Sequence, residues 1–377
     1  MCFVKFRVVY PFLFCLLLII MYPFSVLRFF RVVSRVAVLF LTICGCCALN
    51  AQALDEAPKP PSNRVYSYDM NDGFGLENYE SAVESVLGLF EESKGEAYMP
   101  QTKGRVGIKV YSDSGAGLST PEALVEAVVG ALERRGYERS QIFILGLSGH
   151  TLRDAGFLPP LSRRSVYFNQ VFVESLDTGL YYHSDWFYDS PLPSPFENLQ
   201  IEVDEDSGRV SGVKERVERK SLLPMPLMHE VDFWINMPCY SDHPTLGVNG
   251  ALMNATMWNA SNTMRFLNNP ASASVAVAEM GAIPELRETW ALNIVSLERY
   301  QFIGGPIFNS LYTVSEPVLL LSDNPVMLDS LMKEKINIHR LKNGFAPLAK
   351  ELKILAYSEQ LGLGERDTSR VNLIKAN

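Results

Sequence analysis

The residues able to do chemistry gather in the stretch Asp232–Trp258, DFWINMPCYSDHPTLGVNGALMNATMW. His243 stands in the polar segment after Pro238, with Asp242 beside it. An imidazole near its ordinary pKa moves protons, and its neutral form ligates metals. A divalent metal there would need partners from elsewhere, such as Asp323, Asp113 or His150, because no HxH or HExxH spacing supplies them locally. Asn236, Asn249 and Asn254 offer amides that orient a polar ligand or satisfy the backbone of turns and caps. Lys109 ends the apolar run RVGIKVY, and the loop after it, SDSGAGLST, holds Asp113, Ser114 and Gly115. Gly115 and Gly117 let that loop turn tightly before a helix whose first N–H groups favour an anion. The loop is neither a Walker A motif nor GxGxxG. Cys239 has no evident base beside it and reads as inert.

These residues need elements to position them. Short apolar runs bounded by turn residues predict buried strands at 105–111, 141–147, 231–237, 291–296 and 317–321. Between the first two lies a helix with clear punctuation: Ser119 or Thr120 before it, Pro121 in its first turn, Gly136 past its end. A β-loop-α-β unit of this kind implies parallel strands. Further helices are expected at 77–94, at 274–286 and from Pro325 to about His339. Residues 199–213 read as a peripheral β-hairpin around Asp206-Ser207-Gly208, and YYHSDWFYDS as an aromatic-rich loop. The fold class expected is three-layer α/β, with a mostly parallel sheet and helices on both faces. In a parallel sheet the strand ends converge on one edge, where ligands bind. Lys109, Asp113, Asn236, His243, Asn254 and Asp323 would therefore meet there in one site. Lys109, His243 and Asp323 would be its catalytic set. Asp113, Ser114, Gly115, Asn236, Asn249 and Asn254 would hold a small polar or anionic ligand.

The chain has 377 residues, 47% of them hydrophobic, and a net charge of −8. Residues 1–53 contain Lys5, Arg7, Arg28, Arg31 and Arg35 and no acid, so the remainder is more acidic than the whole. An acidic body argues against nucleic-acid binding, which needs Lys and Arg to displace counterions. Apolar runs at 8–27 and 36–47, a basic flank and Ala51-Gln52-Ala53 make residues 1–53 a secretory signal. Met21 is an alternative start. Run 8–27 is just long enough to span a membrane as an anchor, and Ile43-Cys44-Gly45-Cys46 resembles a lipobox. Export to the periplasm or beyond follows, with membrane contact only through this segment. Residues 54–64 are a Pro-rich linker, and 65–377 a single domain. Of six cysteines only Cys239 lies after residue 53. The domain can form no internal disulfide, and no iron–sulfur cluster is expected.

The order D-x-x-I-N-x-P, a His-bearing loop, an Asn at a helix start, G-G-P and S-D-N-P-V-M-L-D resembles the domain-of-unknown-function family 362, over most of residues 104–372. The resemblance aligns Lys109 with a strand-end lysine, and Asp232, Asn236 and Pro238 with the D-x-x-I-N-x-P run. His243, Asn254, Asp323 and Asp329 fall on its later motifs. Ser241 and Met253 stand where the family usually has lysines, which weakens an inherited anion site. The ferredoxin-like cysteines of some relatives are absent. A different class of function, a non-catalytic envelope binding protein, would use the aromatic loop 181–188. Residues Lys109, His243 and Asp323 lying apart, or saturated by structural contacts, would favour it.

Overall fold

A computed structural model describes residues 61–161, 165–190 and 220–377. The described residues belong to one compact unit, Pro60–Asn377. In chain order the first half holds β1 (Arg64–Asp69), α1 (Leu76–Lys94), β2 (Val106–Val110), α2 (Glu122–Arg134), β3 (Ile142–Gly146) and α3 (Gly149–Asp154). It continues with β4 (Tyr167–Phe168), β5 (Val171–Ser175) and β6 (Tyr182–Asp189). After residue 219 come β7 (Lys220–Pro224), α4 (Met225–His229), β8 (Phe233–Met237), β9 (Tyr240–His243), β10 (Gly247–Asn249) and α5 (Ala251–Ala255). Then follow α6 (Pro270–Gly281), α7 (Pro284–Thr289), β11 (Trp290–Ser296), β12 (Tyr300–Gln301), β13 (Thr313–Val314) and β14 (Val318–Ser322). The chain ends with α8 (Pro325–Lys342), α9 (Lys353–Gln360) and β15 (Asn372–Lys375).

All five runs expected as strands lie in one nine-stranded sheet, ordered β15-β1-β14-β11-β8-β2-β3-β5-β4. The central strands β2, β3 and β8 are buried at every residue. Strands covered on both faces must be apolar almost throughout, which is why they read as continuous runs. On one face α1 and α2 pack Val83, Phe90, Val128 and Leu132 onto Ile108, Ile144 and Ile235. The other face carries α5, α6 and α8, with Leu252, Val277 and Leu328 joined to Leu145, Trp234 and Val295 in one core. The layers are therefore helix, sheet, helix.

The sheet is mostly parallel, with two strands reversed. β14 runs antiparallel to both neighbours, β1 and β11, and β4 antiparallel to β5. A small second sheet, β10-β9-β12-β13, extends from the end of β8. The segment read as an aromatic-rich loop is the strand β6, paired with β7 as a separate antiparallel ribbon. Tyr182, Trp186 and Tyr188 turn toward the core, which accounts for the aromatic content. The hairpin expected at 199–213 lies outside the described residues, as does the whole segment 1–60. Among the described residues no helix is long and apolar enough to cross a membrane.

Candidate functional site

Behind the C-terminal edge of the sheet runs a buried polar row. Lys109 pairs in register with Asn236, Asn236 with Asn293, and Asn293 with Ser322, so four neighbouring strands contribute one polar side chain each. All four are fully buried. Buried polar groups need partners, and these supply one another. Asn236 Nδ2 donates to Asn293 Oδ1 at 2.8 Å and to Ala251 O at 2.9 Å. Asn293 Nδ2 donates to Ser322 O at 3.0 Å. Asn254, on α5, donates to Asn236 Oδ1 at 2.8 Å. Lys109 Nζ donates to Val110 O at 2.8 Å and Asn254 Oδ1 at 3.3 Å. Burial pushes its ammonium down to about 8, against the pull of Asp113.

Asp113 sits in the loop after β2. Its Oδ1 takes a long hydrogen bond from Thr151 Oγ1, 3.4 Å, and its buried Oδ2 has no partner. Burial raises its pKa despite Lys109. Ser114 Oγ lies 2.6 Å from Tyr111 Oη. Gly115 takes a left-handed φ of 84° to start the tight turn at Ala116–Leu118. Asn249 accepts from Trp258 Nε1 at 2.6 Å, while its Nδ2 is buried without a partner. Lys109, Asp113, Asn236 and Asn254 thus come together, with Asn249 and Ser114 around Tyr111 close by.

His243 and Asp323 do not join them. Because β14 is reversed, Asp323, the residue after its C-terminal end, emerges at the opposite edge of the sheet. There it accepts from Ser62 Oγ at 2.8 Å and Lys94 Nζ at 2.5 Å, closing the end of α1 against the start of the domain. The expected convergence required every strand to run the same way, and this one does not. His243 belongs to β9 in the second sheet. Its Nδ1 accepts from Thr245 N and Leu246 N, both at 3.2 Å, and burial pushes the imidazole down to about 4. A ring held neutral and tied into a turn is not placed to relay protons to Lys109. Asp329, in the first turns of α8, serves another helix. It accepts from Ala251 N, Leu252 N and Tyr240 Oη at 2.7, 3.2 and 2.8 Å, capping α5 instead, although burial pushes it up to about 7.

The segments that follow β2, β3, β8 and β11 at their C-terminal ends line a crevice of ≈ 310 Å³. That is the low end of small-molecule sites. The start of α2 enters it through Ser119–Ala123. Pro121 precedes α2 without any side-chain cap, so its first N–H groups are available. Arg153 on α3 and Arg299 after β11 stand on the walls, with Glu122, Asp154 and Glu298. Arg153 is braced on Gly149 O at 2.8 Å. Thr120 ties the loop to the sheet, accepting from Tyr111 N at 2.8 Å and donating to Met237 O at 2.6 Å. Cys239 also lines the crevice, and burial pushes its thiol up to about 12, far from a nucleophilic thiolate.

No family model and no curated protein matches this chain. Among solved structures, the crystal structure of a protein from Thermotoga maritima is similar at 12% identity and a TM-score of 0.34. The match covers 77% of this chain and 60% of that one, so this chain spans less than two thirds of its length. A likeness this distant carries no argument.

The sequence pointed at neither arginine, since each sits in an unremarkable helix or loop and only the fold aims it. Asn293 could have been noticed as the single polar residue amid the apolar strand ALNIV. Among the described residues no three His, Cys, Asp or Glu side chains converge as a metal would require.

Proposed function

We propose that this protein binds a small polar molecule carrying an anionic group in the crevice at the C-terminal edge of its sheet. The observation that carries the reading is one convergence: an uncapped helix start and two arginines on a single crevice where four parallel strands end. The helix N–H groups and Arg153 and Arg299 favour the anionic group. Asp154 and Glu298, the latter 3.5 Å from Arg299, line the same crevice, which suits a ligand with donors as well as an anionic group better than a bare phosphate.

Binding rather than turnover fits the geometry. Lys109 is enclosed and hydrogen-bonded, His243 is tied into a turn, and Asp323 faces the opposite edge. The aromatic strand β6 supports the rival envelope-binding surface less well, because Tyr182, Trp186 and Tyr188 pack against the core. The row of Lys109, Asn236 and Asn254 ties α5 to the sheet and lines no part of this crevice.

Calorimetric titration of the full chain with small hydroxy acids and amino acids tests this. Saturable binding is expected, weakened about a hundredfold in Arg153→Ala/Arg299→Ala through loss of two charge-assisted contacts. Equal affinity in that double variant would overturn the reading.

The resemblance to the domain-of-unknown-function family 362 and the basic, apolar start of the chain further support an exported protein. Mass spectrometry of the processed N-terminus should find Leu54 first, or a lipid on Cys46. An intact 1–53 segment in the membrane fraction would indicate an anchor instead.

A further inference from the structure

A second cavity lies away from the crevice, between the turn after β9 and the starts of α6 and α9. Its volume is ≈ 370 Å³. Pro244, Leu246, Pro270, Leu348 and Leu352 give it apolar walls. Its polar lining sets His243, Arg340 and Lys353 beside Asp242 and Glu351. His243 lines it and is only 4% exposed. The two backbone N–H groups on Nδ1 leave the ring proton on Nε2. Nε2 makes no hydrogen bond to any described residue, and it is not sealed among the buried unpartnered atoms. The ring therefore offers one fixed N–H donor to the cavity that it lines.

Arg340 lines the same cavity. Its Nη1 donates to Asp242 Oδ2 at 2.9 Å and Phe302 O at 3.0 Å, and its Nε to Ala346 O at 2.8 Å. The guanidinium is thus held in one orientation with Nη2 to spare. The third contribution is the start of α9. Leu352 precedes it without a side-chain cap, and its first turn holds no acid. Lys353, exposed, opens that turn on the cavity wall.

The carboxylates nearby are already engaged. Asp242 accepts from Arg340 and from Gly305 N at 2.7 Å, and Glu351 pairs with Arg366 at 2.8 Å. What remains uncompensated is Lys353 and the positive end of α9.

We propose that this cavity is a second ligand site, for a small organic carboxylate with a compact apolar body. Its carboxylate would meet His243 Nε2–H, Arg340 Nη2 and the first N–H groups of α9, and its body would pack on the proline and leucine walls. An imidazole kept neutral by burial suits this role, since it needs only to donate. The site differs from the crevice in the proline and leucine walls that an apolar body would pack on.

The test uses the full chain and the probes benzoate and hexanoate, with benzamide as the uncharged control, in a calorimetric or ligand-observed NMR titration. One saturable site is expected for the acids and none for benzamide. Lys353→Glu is the informative variant. It adds an acid to an uncapped helix start, which favours folding, yet repels the ligand. A melting temperature at or above that of the parent is expected, with benzoate affinity down roughly tenfold. Arg153→Ala/Arg299→Ala, which disables the crevice, should bind benzoate as the parent does. The proposal fails if neither acid saturates below about 10 mM, a ligand of less than about 3 kcal/mol. It fails equally if benzamide binds as well as benzoate, or if Lys353→Glu leaves the affinity unchanged.

Discussion

Glu174 illustrates how one buried side chain sets a pH response. It lies in β5, with Arg105 3.7 Å away and its Oε2 buried without a partner. Burial pushes its carboxyl up to about 7; Arg105 opposes this, and Glu230 adds to it. An unfolded glutamate titrates near its ordinary value, so between that value and about 7 the folded chain holds a proton that the unfolded chain has lost. Stability from this group is present at low pH and declines as pH rises through about 7. Glu174→Gln should remove that decline. Urea denaturation at pH 5 and pH 8 checks it: the parent should lose more stability than the variant between them, by on the order of 3 kcal/mol at most. Parallel profiles would show that Arg105 compensates the charge fully. Asp329 titrates in the same window, so the comparison must be between parent and variant rather than across the parent alone.

At the scale of elements, α5 depends on help from outside its own sequence. Five residues cannot sustain a helix alone. Its N-terminal N–H groups are held by Asp329 from α8, and Asn254 and Ala251 O tie it to β2 and β8. Gly250 makes this contact possible. A Cβ there would lie 2.2 Å from the Tyr240 ring and 2.5 Å from Asp329 Oδ1. Gly250→Ala should therefore force the cap apart and destabilise the protein by about 2–3 kcal/mol. Loss should also appear as faster hydrogen exchange at Ala251 and Leu252, the two N–H groups that Asp329 holds. A variant with parent stability would mean that Tyr240 and α8 can shift at little cost.

For the whole molecule, the last strand closes an edge. β15 pairs in parallel with β1, and Ile374 packs against the core. Without it β1 would present a row of unpaired backbone groups, the usual template for self-association. Removing residues 371–377 should cost about 1–3 kcal/mol in chemical denaturation. It should also give concentration-dependent association in light scattering. A monodisperse, equally stable truncation would show that β1 tolerates an open edge.

The sequence alone determined the layers. Strands buried on both faces must be apolar runs, and helices between them must carry one apolar stripe, so β2, β3, β8, β11 and β14 were each legible. It also placed Lys109, Asn236 and Asn254 together, because each lies near a strand end or on the next helix. Two things only the tertiary structure decided. The first is strand direction: nothing in VLLLS distinguishes a parallel from an antiparallel neighbour, and reversal of β14 carries Asp323 to the far edge. The second is who meets whom across long separations. Asp329 caps a helix 78 residues earlier in the chain, and Arg153 and Arg299 meet at one crevice only because β3 and β11, with β2 and β8 between them, run parallel in one sheet. Local periodicity records what is buried, since burial is a property of each residue's own surroundings. Pairing between distant residues leaves no local trace, since it arises only when the sheet has formed.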